Sequence, residues 1–435
     1  MENSFALGRF RLEIRPTCRE HVFRKPSEPA RKDHKMPSAK PLGTPIEDTE
    51  NFSLFLGGPL FQLLLRAQLT DDALMMMRKR LIVITLLTWL PLLILALFEG
   101  HALGGVAIPF IFDAEVHVRF LVAVPLLIAA ELLVQERMRP VARIFLERHL
   151  IPEKDLSHYK AAITSAYRLR NSVVAEVLLI AFVYAIGIMI IWRQYIAIDA
   201  ATWYASPSDE GARLSLAGFW FGLVSLPFFQ FLLCRWYFRI FIWARLLWQV
   251  SRIRLSLIPT HPDRVGGLGF LSLSVQGFVV LAAAHGALLA SYLANRILHF
   301  GVPLSSFMFE IGAVVVFVLT FALMPLLVFS GQLATAKRAG GREYGTLAER
   351  YVRAFDTKWL RGGAPPDEAL VGSADIQSLA DLSNSFEVVR TMRLAPITRD
   401  DFIRLVIVTL LPVAPLLLTM MPLEELLRRL IGVLF

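Results

Sequence analysis

Ten consecutive residues, His261-Pro262-Asp263-Arg264-Val265-Gly266-Gly267-Leu268-Gly269-Phe270, bring together a histidine, a carboxylate, a guanidinium and three glycines. Backbone N–H groups bared by Gly266, Gly267 and Gly269 at the start of a helix would suit a phosphate, a lipid headgroup or a carboxylate. Arg264 would add charge, and His261 or Asp263 would orient the ligand. The plainer reading makes the stretch a turn, in which Asp263 caps the following helix and the glycines permit close packing. The turn is favoured, because a GGxG run alone is weak evidence for an anion site.

Three more ionisable groups sit in or beside apolar runs. His285, within Ala282-Ala283-Ala284-His285-Gly286-Ala287, is at a depth where a charge costs about 3 kcal/mol and faces a bundle interior or a wet cavity. It reads either as a proton relay lining a pathway or as a neutral histidine hydrogen-bonded to a neighbouring helix, and the second is favoured. Glu131 and Glu176, near the ends of two runs, could pair with His285 or with basic loops, but the favoured place for them is the membrane interface. Arg235, Arg239, Arg245, Arg252 and Arg254 lack the every-third spacing of a voltage sensor. Trp236, Trp243 and Trp248 interleave with them, which predicts a helix anchored at the interface.

The elements that must hold these groups follow from hydropathy. Of 435 residues, 55% are hydrophobic and only 19% charged, with a mean hydropathy of +0.55. Apolar runs of about 18 residues or more are long enough to cross a hydrocarbon core about 30 Å thick, and must be helical to satisfy their own backbone. Seven are predicted, at about Leu81–Phe98, Arg119–Leu133, Ser172–Trp192, Leu216–Leu233, Phe270–Ala294, Phe307–Phe329 and Phe402–Met420. The fold class is therefore all-α, a polytopic membrane bundle, with the bilayer as its first partner. Small residues around His285 (Ala283, Gly286, Ala287, Ala290, Ser291, Ala294) place the fifth span at its centre. Pro325, Pro412 and Pro415 are expected to kink their spans.

Five regions result. Residues 1–54 read as a disordered tail, with Met36 a second candidate start, and 55–80 as an interfacial amphipathic segment. Residues 81–330 hold six spans with basic loops, 331–401 a cytoplasmic helical region, and 402–435 the last span and an outer amphipathic tail. Arginine-rich loops all fall on one side, so the N-terminus, the central loop and 331–401 are expected in the cytoplasm. Within 331–401, Leu347, Tyr351, Phe355 and Trp359 form one stripe. Ile376, Leu379, Leu382, Phe386 and Val389 form another after the N-cap Ser373. Both stripes are expected to pack on the bundle or on another subunit, and 344–393 could hold a cytoplasmic protein partner.

The formal charge of +9 is accounted for by residues flanking the spans, so no nucleic-acid partner is expected. Cys18 and Cys234 form neither a disulfide framework nor a metal set; no metal, cofactor or catalytic residue is assigned. His-Pro-Asp also marks the J domain of chaperone partners, but that is a soluble helical hairpin, and here a span begins within about ten residues. His261–Leu271 and Ser373–Leu382 resemble stretches of uncharacterised bacterial multi-pass membrane proteins. The resemblance implies a bacterial cytoplasmic membrane and brings no activity. The expectation is a channel- or transporter-like protein, homo-oligomeric or not, with the Gly-rich loop as binding or gating element. The alternative is a non-transporting signalling or assembly scaffold acting through 331–401.

Overall fold

A computed structural model of the chain describes residues 73–188, 201–208 and 211–420, all within one compact unit. The expected tail 1–54, the interfacial residues up to 72 and the outer tail from 421 lie outside the described residues. The helices are α1 (Ala73–Phe98), α2 (Ala114–Glu147), α3 (Leu156–Arg170), α4 (Val173–Ala185), α5 (Leu216–Val250) and α6 (Gly269–Phe300). They continue with α7 (Met308–Leu323), α8 (Ser330–Phe355), α9 (Ala374–Arg390) and α10 (Arg399–Leu410).

Among the described residues, six helical runs are long and apolar enough to cross a bilayer: Arg78–Phe98, α2, α5, α6, Leu304–Leu360 and Arg399–Thr419. The chain is thus an integral membrane protein with an all-α polytopic bundle. The third predicted span is visible only in its first part, as the shorter apolar α4; its continuation falls outside the described residues. Several expected boundaries move. Residues 73–80 are continuous with the first span rather than a separate interfacial piece, and the second and sixth spans run on as helix through their basic flanks, as the fourth does into its expected arginine-bearing helix. Arginine, leucine and glutamine are good helix formers, and no breaker separates the apolar half of α2 or α5 from its charged half.

Proline changes helical pitch instead of stopping the helix. Wide turns at Arg119–Ala123 and Phe221–Ser225 immediately precede Val124-Pro125 and Leu226-Pro227, which relieves the clash of each ring with the carbonyl one turn earlier. Pro325 opens a tight 3-10 segment, Met324–Phe329, between α7 and α8, and Pro412 and Pro415 lie in another, Leu411–Thr419. One short antiparallel hairpin, Ala205–Ser208 with Gly211–Leu214, interrupts the all-helical pattern between α4 and α5. Beside it Trp203 is fully buried and donates to Asp113 at 2.8 Å, while the other oxygen of that carboxylate caps α2 and accepts from Asn295.

The central helix is α6, packed on α2, α7 and α10. Its small residues allow this: Ala282, Ala284, Gly286, Ala287 and Ser291 are buried. A Cβ on Gly286 would overlap the Thr409 carbonyl of α10. Gly286→Ala is therefore expected to push the two helices apart and cost about 1–3 kcal/mol. Gly312→Ala on α7, where a Cβ meets nothing within 4 Å, should be neutral. Thermal unfolding of the two variants in detergent makes the comparison, and equal midpoints would refute the close contact.

Candidate functional site

The central loop does not present an open anion nest. Pro262 and the glycines turn the chain sharply, with Arg264, Gly266 and Gly267 all at positive φ. Asp263 folds back into this turn. Its Oδ1 accepts the N–H groups of Val265 (2.9 Å) and Gly267 (3.1 Å), and its Oδ2 that of Gly269 (2.8 Å). His261 Nδ1 stands 2.9 Å from Oδ1. The amides that a phosphate would use are thus filled by the chain's own carboxylate, as the turn reading requires.

The loop also gathers distant segments. Arg148, just after α2, donates to Gly267 O, and Ser256 N donates to Leu150 O. Arg393, between α9 and α10, donates its backbone N–H to Arg264 O at 2.7 Å and its guanidinium to Asp263 O at 3.0 Å. Gly266 is buried where a side chain would press on Leu257 and Met392. Val265 and Leu268 are fully buried. Three stretches of chain therefore close around His261, Asp263, Arg264, Gly266, Gly267 and Gly269, and the loop is a structural joint.

Burial alone would push the Asp263 carboxyl up, but the N–H groups of Val265, Gly269 and Gly267, together with His261, outweigh it and hold the group below its ordinary 3.8. A carboxyl with a depressed folded pKa adds stability that is present above its unfolded pKa and lost as pH falls through the folded value. The unfolding midpoint of the wild type is therefore expected to drop with acidification below the ordinary carboxylate range. Asp263→Asn should lack that component, and parallel pH profiles for the two proteins would exclude it.

A second cluster carries more charge. Glu131 of α2 takes Arg235 and Arg239 of α5 on Oε1, each at 2.9 Å, and Arg80 of α1 on Oε2 at 3.2 Å. Glu176 of α4 lies 3.7 Å from Arg235. The side chains of Glu131 and the three arginines are only 4–6% exposed. Along the helix rise, this node sits roughly 25–30 Å from the far ends of α1, α2 and α5, about one hydrocarbon thickness. Three arginines against two glutamates leave one formal positive charge, and Arg80 Nε is buried without a hydrogen-bond acceptor. Glu131 thus pairs with basic residues near the depth of one membrane boundary, shielded from lipid by the surrounding helices. One expectation is corrected: the first turns of the Trp/Arg helix are core, with Arg235, Trp236, Arg239 and Trp243 all buried.

His285 does not join that node. Its Nδ1 lies 2.7 Å from the Leu281 carbonyl and its Nε2 2.8 Å from the Tyr237 hydroxyl. A carbonyl can only accept, so Nδ1 carries the proton, and in the neutral ring Nε2 then takes the tyrosine hydrogen bond, which satisfies both nitrogens. Phe317 and Phe321 close over it at 5.7 and 5.4 Å. No cluster of three or more metal-ligating side chains occurs among the described residues. Comparison with family models, curated proteins and solved structures gives no match for this chain.

Proposed function

We propose that the protein is an assembly or signalling scaffold of the bacterial cytoplasmic membrane, acting through its cytoplasmic helices over 344–393. The observation that carries this reading is the half-covered state of α8 and α9. Their stripes face each other rather than the bundle: Tyr351 donates to Asp375 O, Trp359 to Asp375 Oδ2, and Gly345 lies beside Phe386. Only Val389 of these stripes is fully buried, where Gly340 meets Pro259. Leu347, Val352, Leu360, Val371 and Ile376 stay exposed, between 47% and 90%. Two helices cannot bury both their faces against each other, and the apolar side chains left exposed on and between α8 and α9 are what a protein partner would cover.

The bacterial membrane is supported by the resemblance of His261–Leu271 and Ser373–Leu382. A cytoplasmic N-terminus is supported by arginines 137, 139, 143, 252, 254 and 393, which flank the same ends of their spans. Site-specific photo-crosslinking from Val352 and Ile376 in intact cells tests the scaffold. The expected product is one discrete protein adduct from both positions, abolished by Val371→Asp. No adduct, or a smear indifferent to that change, refutes it.

A channel or transporter is the second reading, and one observation favours it: the buried Glu131 node, since ionisable groups enclosed among spans often mark an ion path. Ion flux in proteoliposomes that is present in wild type and lost in Tyr237→Phe, with the unfolding midpoint of that variant unchanged, would establish that reading in place of the scaffold.

A further inference from the structure

A cavity of about 820 Å³ opens where the sixth span ends, between the last turn of α5 with the extended residues after it and the first turns of α8. Trp248, Arg252, Arg254, Val328 and Gln332 line it, and its wall holds no aspartate or glutamate. The wall is preformed. Gln332 donates to Ser251 O (2.6 Å) and Ile253 O (2.7 Å) and accepts from Leu255 N (3.1 Å), which fixes the backbone that carries both arginines.

The two guanidinium groups are exposed, and neither has a carboxylate within 4.0 Å among the described residues. Arg252 lies over the Trp248 ring at 4.9 Å, and Trp248 is half exposed at the rim. The 3-10 segment that contributes Val328 to the wall leaves Met324 and Leu327, just before it in the chain, 62% and 49% exposed. Exposed apolar side chains on the spanning run therefore come one turn before a basic cavity lined by Trp248. Tryptophan at the rim suits the headgroup level, and paired arginines suit phosphate oxygens.

We propose that this cavity binds the phosphate group of an anionic phospholipid, with the acyl chains along Met324 and Leu327 and the phosphate against Arg252 and Arg254. Basic pockets at the ends of spans take such headgroups, and both charges sit where the bilayer surface attracts them. A separate pocket of about 380 Å³ shares Trp248 and Arg252 with this one and is lined by Asp155 and His158.

The test is thermal unfolding of the purified full chain in neutral detergent with added phosphatidylglycerol, phosphatidylcholine or inorganic phosphate. Phosphatidylglycerol is expected to raise the midpoint, and phosphatidylcholine is not. R252Q/R254Q should weaken the apparent affinity for phosphatidylglycerol by about 10- to 30-fold, two near-surface cations being removed. R252K/R254K should keep most of it. Both arginines are exposed, so the lipid-free midpoint of each variant should match the wild type; if the double variant fails to fold, R254Q alone decides with a smaller loss. A shift reproduced by inorganic phosphate alone would keep the phosphate chemistry and assign it to a soluble ligand. Equal responses to the two lipids, or an unchanged response in R252Q/R254Q, would overturn the proposal.

Discussion

Asp263→Ala is expected to lower the stability of the purified protein by about 3–5 kcal/mol, among the largest effects of any single change in the chain. The substitution deletes an acceptor shared by three backbone N–H groups, those of Val265, Gly267 and Gly269. Val265 and Gly267 are buried, so water does not replace the lost bonds without opening the turn, and each buried donor left unpaired costs about 1–3 kcal/mol. Asp263→Asn should fall between the two. Its carbonyl oxygen can serve Val265 and Gly267, but its NH₂ would face the Gly269 N–H, donor against donor. Thermal unfolding followed by the monodisperse fraction on size exclusion measures all three proteins. If the alanine variant kept the wild-type midpoint, the loop would not be the joint described above.

Glu131→Gln should be comparably severe, at about 3–5 kcal/mol, for a different physical reason. The buried carboxylate is the common partner of Arg80, Arg235 and Arg239. Neutralising it leaves three guanidinium groups in a low-dielectric interior with only Glu176 nearby, and removing one partner of a buried pair strands the other. Repulsion among the arginines then outweighs the remaining attraction, which predicts a specific rescue. Adding Arg239→Gln to Glu131→Gln removes one stranded charge, so the double variant should be less damaged than the sum of the two single changes. Strict additivity in that cycle would mean the node is four independent side chains and not one electrostatic unit.

Much of this architecture is legible in the sequence. Apolar runs of spanning length without strand alternation fix the helices, because such a run can satisfy its own backbone in hydrocarbon only as a helix. The small residues flanking His285 mark α6 as the central helix, and the Asp-plus-glycine composition of the loop announces a capped turn. The charge node is not legible as such. Arg235 and Arg239 are four apart and so share one helix face, which is a signal for a buried pair when the helix also carries buried tryptophans. Nothing local in the sequence, however, says that Glu131, more than a hundred residues earlier, stands opposite them. The same long-range ambiguity hides the pairing of the α8 and α9 stripes. Each has the periodicity of a helix seeking a partner, and periodicity does not name the partner. The hairpin at 205–214 escapes a sequence reading because its strands are four residues each and carry no alternating apolar pattern.

The joint around Asp263 also sets an order of events during synthesis. Arg393, which donates to both Asp263 and Arg264, lies 130 residues further along the chain than Asp263. At about 5–20 residues per second, a ribosome needs roughly 6–26 s to travel from one to the other. For that interval the loop, with five apolar spans already made or emerging, lacks the Met392–Arg393 segment that covers Gly266. The nascent protein is then a bundle whose loop-bearing side cannot yet close, and arrival of the segment between α9 and α10 is the step that shuts it. Chains interrupted before Met392 would stay in this unlatched form, and surveillance proteases of the membrane would meet them with the loop still open.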